Sequence, residues 1–407
     1  MLCDIIVIGG GASGLTAAIS AKMCRPEASV TVCEKLDRVG RKILSTGNGR
    51  CNLSNRSVNT ENYHGSVNAP AVIRDEPSAD EFFSGLGIML VADDAGRVYP
   101  YSGSAATVLS ALRLKMSTLG ITEECGFAVS AVDGVKDGYR LTSADGRTLS
   151  ARRLIVAAGG YAAPSSGTDG AVMRLFRSRG YRTAKICPAV APMKAFPEEI
   201  KGLKGVRAKC RLSAFSGEKL LRTEAGEIQF TENTLSGICV FNMAYLFAEN
   251  EGSLTLCADF APDISAARLS GYLSDVRKQR SGSSLEDFLT GLFGKNLAVY
   301  LTKRALRRPL TESISTLSDE DISSAAALIK NCRFRAAGAS PWQNAQSTLG
   351  GITASEITPE LASRREKGIY FCGEILDTAG DCGGYNLQWA WSSGWRAGRN
   401  CALSLKG

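Results

Sequence analysis

Four groups of residues in this chain have types and spacing suited to chemistry, and the first lies at residues 9–14. Gly9-Gly10-Gly11-Ala12-Ser13-Gly14 sets glycines at the GxGxxG spacing, between the apolar run Asp4–Ile8 and a small-residue stretch from Leu15 to Ala21. That spacing suits a strand turning directly into a helix: Gly9 permits the tight turn, Gly11 lets the backbone approach a pyrophosphate, and Gly14 lets the helix lie close on the strand. The helix N-terminus then offers free N–H groups and the positive end of its dipole to the anion. Twenty residues beyond Gly14 the run VTVCE ends in Glu34, a carboxylate placed to accept both hydroxyls of an adenosine ribose and to repel a 2′-phosphate.

The second group is Arg38-Val39-Gly40-Arg41-Lys42 followed by STGNGRCNLSN, Ser45 to Asn55. A loop so rich in small, amide and glycine positions bares backbone N–H groups and can lie flat against an anion or a planar ring, and Arg41 and Lys42 could neutralise phosphate charge. The third is LIVAAGG, Leu154 to Gly160, a strand ending in a glycine pair; Asp169-Gly170 downstream reads as a helix start. The fourth is GEILDTAGDCGGYNLQWAWSSGWRAG, Gly373 to Gly398. Asp377 and Asp381 offer acceptors to sugar-like hydroxyls, and Gly383-Gly384 feed a helix beginning near Asn386, with Ala390, Ser393, Gly394 and Ala397 for close packing. Aimed at the N1–C2=O edge of a flavin, that N-terminus would stabilise the negative charge of the reduced ring.

The elements that position these groups follow from the pattern between them. Residues 1 to about 60 alternate strand, glycine turn, helix and strand, the order of a parallel α/β unit. SGSAATVLSALRLKM predicts a helix capped by Ser102 or Ser104, with Val108, Leu109 and Leu112 on one face. Residues 121–160 read as short strands turning at Asp133-Gly134, Asp137-Gly138 and Asp145-Gly146, a hairpin sheet beside the main one. After Pro188 and Pro192 come strand-like segments, RAKCRLSAF and SLTLCADF, then an amphipathic helical stretch over 262–330. KGIYFCGE returns to strand. The expected organisation is an insertion near 190–348 dividing a cofactor domain.

Length and composition agree with a globular protein of several subdomains: 407 residues, 44% hydrophobic and 22% charged. The formal charge of +8 is modest for this length, and its densest basic stretches, Arg304–Pro309 and Lys201–Arg211, lack the interleaved aromatics that nucleic acid would want. No nucleic-acid partner is therefore expected. Thirteen scattered cysteines without a CxxC pair, and a single histidine, His64, speak for reduced thiols in a cytoplasm and against a metal site. No run has the length or flanks of a signal peptide or membrane span.

Together, GGGASGLTAA, RVGRKILSTGNGRCNLSN, GRVYPYSGSAATV, GEIQFTENTLSG and GEILDTAGDCGGYNLQWAWSSG resemble the BaiN/RdsA-like FAD-dependent oxidoreductases, sometimes labelled the aminoacetone oxidase family. The resemblance implies an α/β fold of the two-dinucleotide-binding flavoprotein type, in which a Rossmann-like FAD domain carries an inserted β-barrel-like domain and a helical subdomain. Mapped here, the FAD domain would span 1–189 and 349–407, the barrel-like domain 190–261 and 331–348, and the helical subdomain 262–330. By the same resemblance Gly9, Gly11, Gly14 and Glu34 would hold the ADP half of FAD. Arg41, Lys42, Asn48, Gly49 and Asn52 would line its middle and the flavin ring, and Asp377, Gly384, Tyr385, Asn386 and Leu387 would enclose ribityl and pyrimidine. Ala12, Ser13, Lys35, Gly40, Thr46, Ala158, Gly159, Gly373 and Glu374 complete the expected set. The family's usual Ala-Thr-Gly-Gly is Ala157-Ala158-Gly159-Gly160 here, so position 158 carries no side-chain hydrogen bond.

Members of that family are associated with reducing C=C bonds conjugated to ketones in bile-acid intermediates. The implied activity is hydride delivery from flavin N5 to an enone of a small or steroid-like molecule, with NAD(P)H as transient donor. The alternatives are a flavin oxidase of a small amine or alcohol using O2, and a flavin-bearing RNA-modifying or sensor protein. Because His64 lies outside the motifs, the proton donor is expected to be a tyrosine, a cysteine or water, with Tyr385, Cys382 and Cys51 as candidates.

Overall fold

The computed structural model describes residues 2–250 and 252–405, which form two compact units, Met1–Ala189 with Pro341–Gly407, and Val190–Ser340. In the first unit the chain runs β1 (Leu2–Ile8), α1 (Ala12–Cys24), β2 (Val30–Glu34), α2 (Arg41–Ser45), β3 (Ser54–Asn55), β4 (Tyr63–His64), α3 (Ala69–Arg74) and α4 (Ala79–Ser84). It continues through β5 (Leu90–Ala92), β6 (Arg97–Pro100), α5 (Ala105–Thr118), β7 (Thr122–Cys125), β8 (Val129–Val135), β9 (Gly138–Ser143), β10 (Thr148–Val156), α6 (Ala171–Ser178) and β11 (Cys187–Pro188).

The second unit contributes β12 (Met193–Ala195), β13 (Arg207–Ser216), β14 (Lys219–Phe230), β15 (Thr234–Ser236), α7 (Ile238–Phe241), β16 (Leu254–Asp259), α8 (Ala266–Gln279), α9 (Lys295–Leu306), α10 (Asp319–Lys330) and β17 (Cys332–Ala339). The chain then re-enters the first unit as β18 (Thr348–Leu349), β19 (Ile369–Phe371), β20 (Ala379–Gly380) and α11 (Tyr385–Leu403).

A seven-stranded sheet organises the first unit in the order β7-β2-β1-β10-β9-β8, with β19 also on β10. Ile5, Ile6, Val7 and Ile8 are at most 3% exposed, the continuous apolar run of a strand covered on both faces. The hairpin segment is not a separate sheet. Thr148–Ala151 of β10 pair antiparallel with β9, whereas Leu154–Val156 pair parallel with β19, because nine residues are long enough to serve two partners end to end. Asp133-Gly134, read as a turn, lies within β8 opposite Arg140 and Tyr139.

Helices α1 and α11 pack at backbone distance. A Cβ added at Gly394 would lie 2.4 Å from the Ser13 carbonyl oxygen, and one at Gly398 would lie 2.2 Å from that of Ala17. Helix α5 begins after Ser104 as expected, although that side chain makes no capping bond, and Val108 and Leu112 are buried.

The second unit contains a closed barrel, β12-β15-β14-β13-β16-β17, with β12 pairing both β15 and β17. Along β13, Cys210, Leu212 and Ala214 are buried while Arg207, Lys209 and Arg211 are exposed, the period of two that a filled barrel requires. Helices α8 and α10 start at the side-chain caps Ser265 and Ser318 and bury one apolar stripe each, among them Leu269, Leu273, Ile322 and Ile329. The barrel segment returning from the helices was expected to reach residue 348 but ends at Ser340. Residues 341–348 belong to the first unit because β18 pairs with β11, and Thr348 Oγ1 accepts the amides of Tyr161 and Ala162 at 2.9 and 3.1 Å. Among the described residues no helix is long and apolar enough to cross a membrane.

Candidate functional site

At the glycine turn the three motif glycines are required for different reasons. A Cβ at Gly9 would sit 2.4 Å from the Ala157 carbonyl oxygen and one at Gly14 would sit 1.9 Å from that of Gly9, whereas at Gly11 no atom lies within 4 Å. Gly9 and Gly14 serve internal packing, and Gly11 leaves the start of α1 approachable. That start has no side-chain cap, so Ala12 and Ser13 open a helix whose end is electropositive. The backbone of Ala158 also abuts Gly9, and Gly159 adopts φ 73° with a Cβ position 2.7 Å from Thr168.

Glu34 ends β2 beside this turn. Its Oε2 accepts the Gly10 amide and its Oε1 the Leu36 amide, each at 2.9 Å, which fixes the carboxylate and leaves each oxygen a further lone pair. Lys35, one of the residues that the resemblance places at the cofactor, bonds Asp169 at 2.7 Å.

Gly40, at φ 76°, donates its amide to the Gly10 carbonyl at 2.7 Å and so ties the second loop to the first. Beyond α2, Gly47, Asn48 and Gly49 take left-handed φ values of 56°, 53° and 82°, which glycine and asparagine adopt cheaply, and past Arg50 at φ −93° Cys51 returns to 57°, which cysteine does not. The Cys51 amide bonds the Thr46 carbonyl at 3.0 Å, closing the loop on itself. Lys42 was expected to meet phosphate but is paired with Glu374 at 2.7 Å, and the other Glu374 oxygen accepts the Thr348 amide at 2.7 Å. Arg41 remains exposed. Asn52 Oδ1 is buried and accepts no hydrogen bond, and it lies 2.8 Å from where a Cβ on Gly384 would stand.

The C-terminal segment closes the arrangement. Gly373, at φ 75°, is pinned between helices: its amide donates to Ser393 Oγ at 2.9 Å, and its carbonyl accepts Trp389 Nε1 at 3.1 Å. Helix α11 begins at Tyr385, one residue before the expected start, behind Gly384 at φ 103° and without a side-chain cap. Leu387 packs, half-buried, against the core. The two acids expected to face sugar hydroxyls also hold protein groups: Asp377 accepts the Ser66 amide at 2.9 Å, and Asp381 bonds His64 Nε2 at 2.9 Å. Asn386, expected beside the pyrimidine, spends its amide on both backbone groups of Gly380, at 2.9 and 2.6 Å, and so staples β20 to α11.

Of the proton-donor candidates, Cys51 and Cys382 are thiols that burial pushes up to about 11, and Tyr385 accepts the Tyr63 hydroxyl through its carbonyl at 3.0 Å. The residues that sequence reasoning missed are Asn62, Tyr63 and His64 on one side and Thr348 on the other. Two-residue strands carry no periodic signal, so nothing in the sequence connects His64 to Asp381 across the 317 positions between them.

This set fits a flavin dinucleotide. It supplies an open, uncapped helix start for the diphosphate, a fixed carboxylate at the end of the second strand, a second uncapped helix N-terminus, and the unpartnered Asn52 acceptor between the loops. Residues 3–400 match the family described as HI0933-like protein Rossmann domain. The chain is 34% identical over 410 residues to the 3-dehydro-bile acid delta(4,6)-reductase of Clostridium scindens, covering 97% of this chain and 98% of that one. It is 27% identical to the ribosomal RNA dihydrouridine synthase of Escherichia coli, with 99% and 98% covered. Among solved structures, the 3-ketosteroid delta1-dehydrogenase of Sterolibacterium denitrificans shares the fold at a TM-score of 0.50 and 14% identity, covering 99% of this chain and 100% of that one. The chain thus belongs to the HI0933-like Rossmann-domain family and is a flavin-dependent oxidoreductase.

Proposed function

We propose that the enzyme reduces a carbon–carbon double bond conjugated to a carbonyl, with FAD as resident cofactor and NAD(P)H as transient donor. One observation carries this reading: the names of two curated relatives that match this chain end to end both denote saturation of such a bond, in a 3-oxo bile acid and in uridine. When bound, the flavin supplies a hydride from its ring. The chain's part is to hold that ring and its charge. Gly11, Ala12 and Ser13 would meet the diphosphate, Glu34 the ribose, Asn48, Gly49 and Asn52 the ring system, and the start of α11 the pole that gains negative charge.

A steroid-like enone is the favoured substrate, supported by the higher identity of the bile-acid relative. Uridine in RNA is the second reading, favoured by the full-length match to the dihydrouridine synthase. Among the described residues no disulfide joins any of the thirteen cysteines, which supports a reducing, cytoplasmic setting. The test is an anaerobic titration of the flavin spectrum with NADH and with NADPH. The reduced enzyme is then mixed with a 3-oxo-delta(4,6) steroid or with uridine-containing RNA. Bleaching by a nicotinamide and recovery of colour with one acceptor are expected. Bleaching by a small amine or alcohol, with recovery only in oxygen and release of peroxide, would replace the reductase reading with an oxidase.

A further inference from the structure

The chain's only histidine is built into the end of the site that gains charge. His64 lies on β4, paired with Ala379 of β20, and its Nε2 bonds the Asp381 carboxylate at 2.9 Å. Asp381 is 3% exposed, too buried to carry a charge without partners, and its second oxygen meets Asn62 Nδ2 at 3.5 Å. Both sides of the pair are fastened to the first turn of α11. Asn386 Nδ2 donates to the Asp381 carbonyl at 3.3 Å, and Tyr63, the neighbour of His64, donates its hydroxyl to the Tyr385 carbonyl at 3.0 Å. Gly65, in the left-handed region, then turns the chain hard against the Asp377 carbonyl, so His64 cannot drift along the strand.

We propose that the His64–Asp381 pair is the proton reservoir of this site: His64 takes up one proton when the bound flavin is reduced and gives it up when the electrons leave. The argument is electrostatic and rests on the flavin-site assignment. Negative charge added at the N-terminus of α11 repels the Asp381 carboxylate fixed beside it, and a proton on the imidazole relieves both. The other groups around the pair are Asp377, committed to the Ser66 amide; Tyr63 and Tyr385; and Cys382, which faces Arg97 from β6. Burial holds the protons of Tyr63 and Cys382 firmly, so neither answers the added charge.

The reservoir also closes the balance of the proposed reaction. A reduced nicotinamide would supply the hydride by way of the bound flavin, and water would supply a proton to His64, leaving hydroxide to the solvent. The hydride then forms a C–H bond at the β-carbon of the conjugated double bond. The imidazolium N–H breaks, its proton passes by way of water to the α-carbon, where the second C–H bond forms, and His64 is neutral again. The double bond has gained two hydrogens and the nicotinamide is oxidised.

The test needs no acceptor. The holoenzyme is reduced photochemically in weak buffer with a pH-indicating dye, and the midpoint potential is followed between pH 6 and 8. Each proton taken up adds about 30 mV per pH unit to the slope of a two-electron couple. Wild type should take up one proton more per flavin than His64→Gln, with a correspondingly steeper slope. Asp381→Asn, which keeps the shape and removes the charge, should shift the break in the slope to lower pH, and it serves if the histidine variant loses its flavin. Equal uptake and equal slopes in wild type and variants would overturn the reservoir and leave the proposed function standing. Failure to reduce any conjugated double bond would strike that function and leave the proton count intact.

Discussion

Replacing Gly394 by alanine tests whether the backbone contact between α1 and α11 positions the glycine turn. The new Cβ would lie 2.4 Å from the Ser13 carbonyl oxygen and 3.2 Å from Ser13 Cα, obstacles that belong to main chain and cannot rotate aside. Overpacking of this kind costs about 3 kcal/mol at the upper end of its usual range. The gain in helix propensity on replacing glycine returns about 1 kcal/mol. The net loss of about 2 kcal/mol should lower the Tm of the first unit by about 4–8 °C. Because Ser13 opens α1, flavin affinity should fall as well. Gly271 in the middle of α8 is the control: nothing lies within 4 Å of its Cβ position, so Gly271→Ala should stabilise by about 1 kcal/mol. Thermal unfolding followed by both flavin and tryptophan fluorescence separates the effects. A Gly394→Ala protein as stable as wild type, with flavin held as tightly, would refute the claim that this contact sets the position of the turn.

Glu34→Gln should weaken flavin binding about tenfold or more, the loss of one charged hydrogen bond, measured by fluorescence after dialysis; unchanged affinity would remove Glu34 from the ribose. Glu76, whose side chain is fully buried, accepts both Arg396 Nε at 2.7 Å and Arg399 Nη2 at 2.9 Å, so Glu76→Ala should cost about 2 kcal/mol through these charged hydrogen bonds, while Arg396 keeps Asp75 at 3.0 Å as counter-charge, read from a urea midpoint. Cys51 and Cys382, raised to about 11, keep their protons below that pH, and the thiolates that alkylate appear only as pH rises toward it. Peptide mass spectrometry after iodoacetamide at pH 8 should therefore find the exposed Cys24 labelled first; equal labelling of Cys382 would contradict its burial.

The parts of the site that the sequence reveals are those where the backbone itself is constrained. Gly9, Gly14, Gly40 and Gly384 are legible because a tight turn, a close helix or a positive φ excludes other residues, and Glu34 is legible because strand geometry fixes its distance from the turn. Lys35, Lys42, Asp377 and Asn386 sit at recognisable positions, yet their side chains are long or amphoteric enough to find protein partners first, at Asp169, Glu374, Ser66 and Gly380. The boundary near residue 340 was blurred for a similar reason. What assigns residues 341–348 to the first unit is a pair of amides at Tyr161 and Ala162, which leave no trace in composition.

The packing of α1 against α11 also constrains how the protein is made. Ser20 donates its hydroxyl to the Trp395 carbonyl across 375 positions of chain, with the whole barrel unit translated in between. On the ribosome, the glycine turn and its first helix emerge long before the surface they must pack against exists. Val190–Ser340 is contiguous in sequence and can collapse as soon as it clears the exit tunnel. The packing of α1 on α11 can therefore be completed only after Val190–Ser340 and α11 have themselves been made.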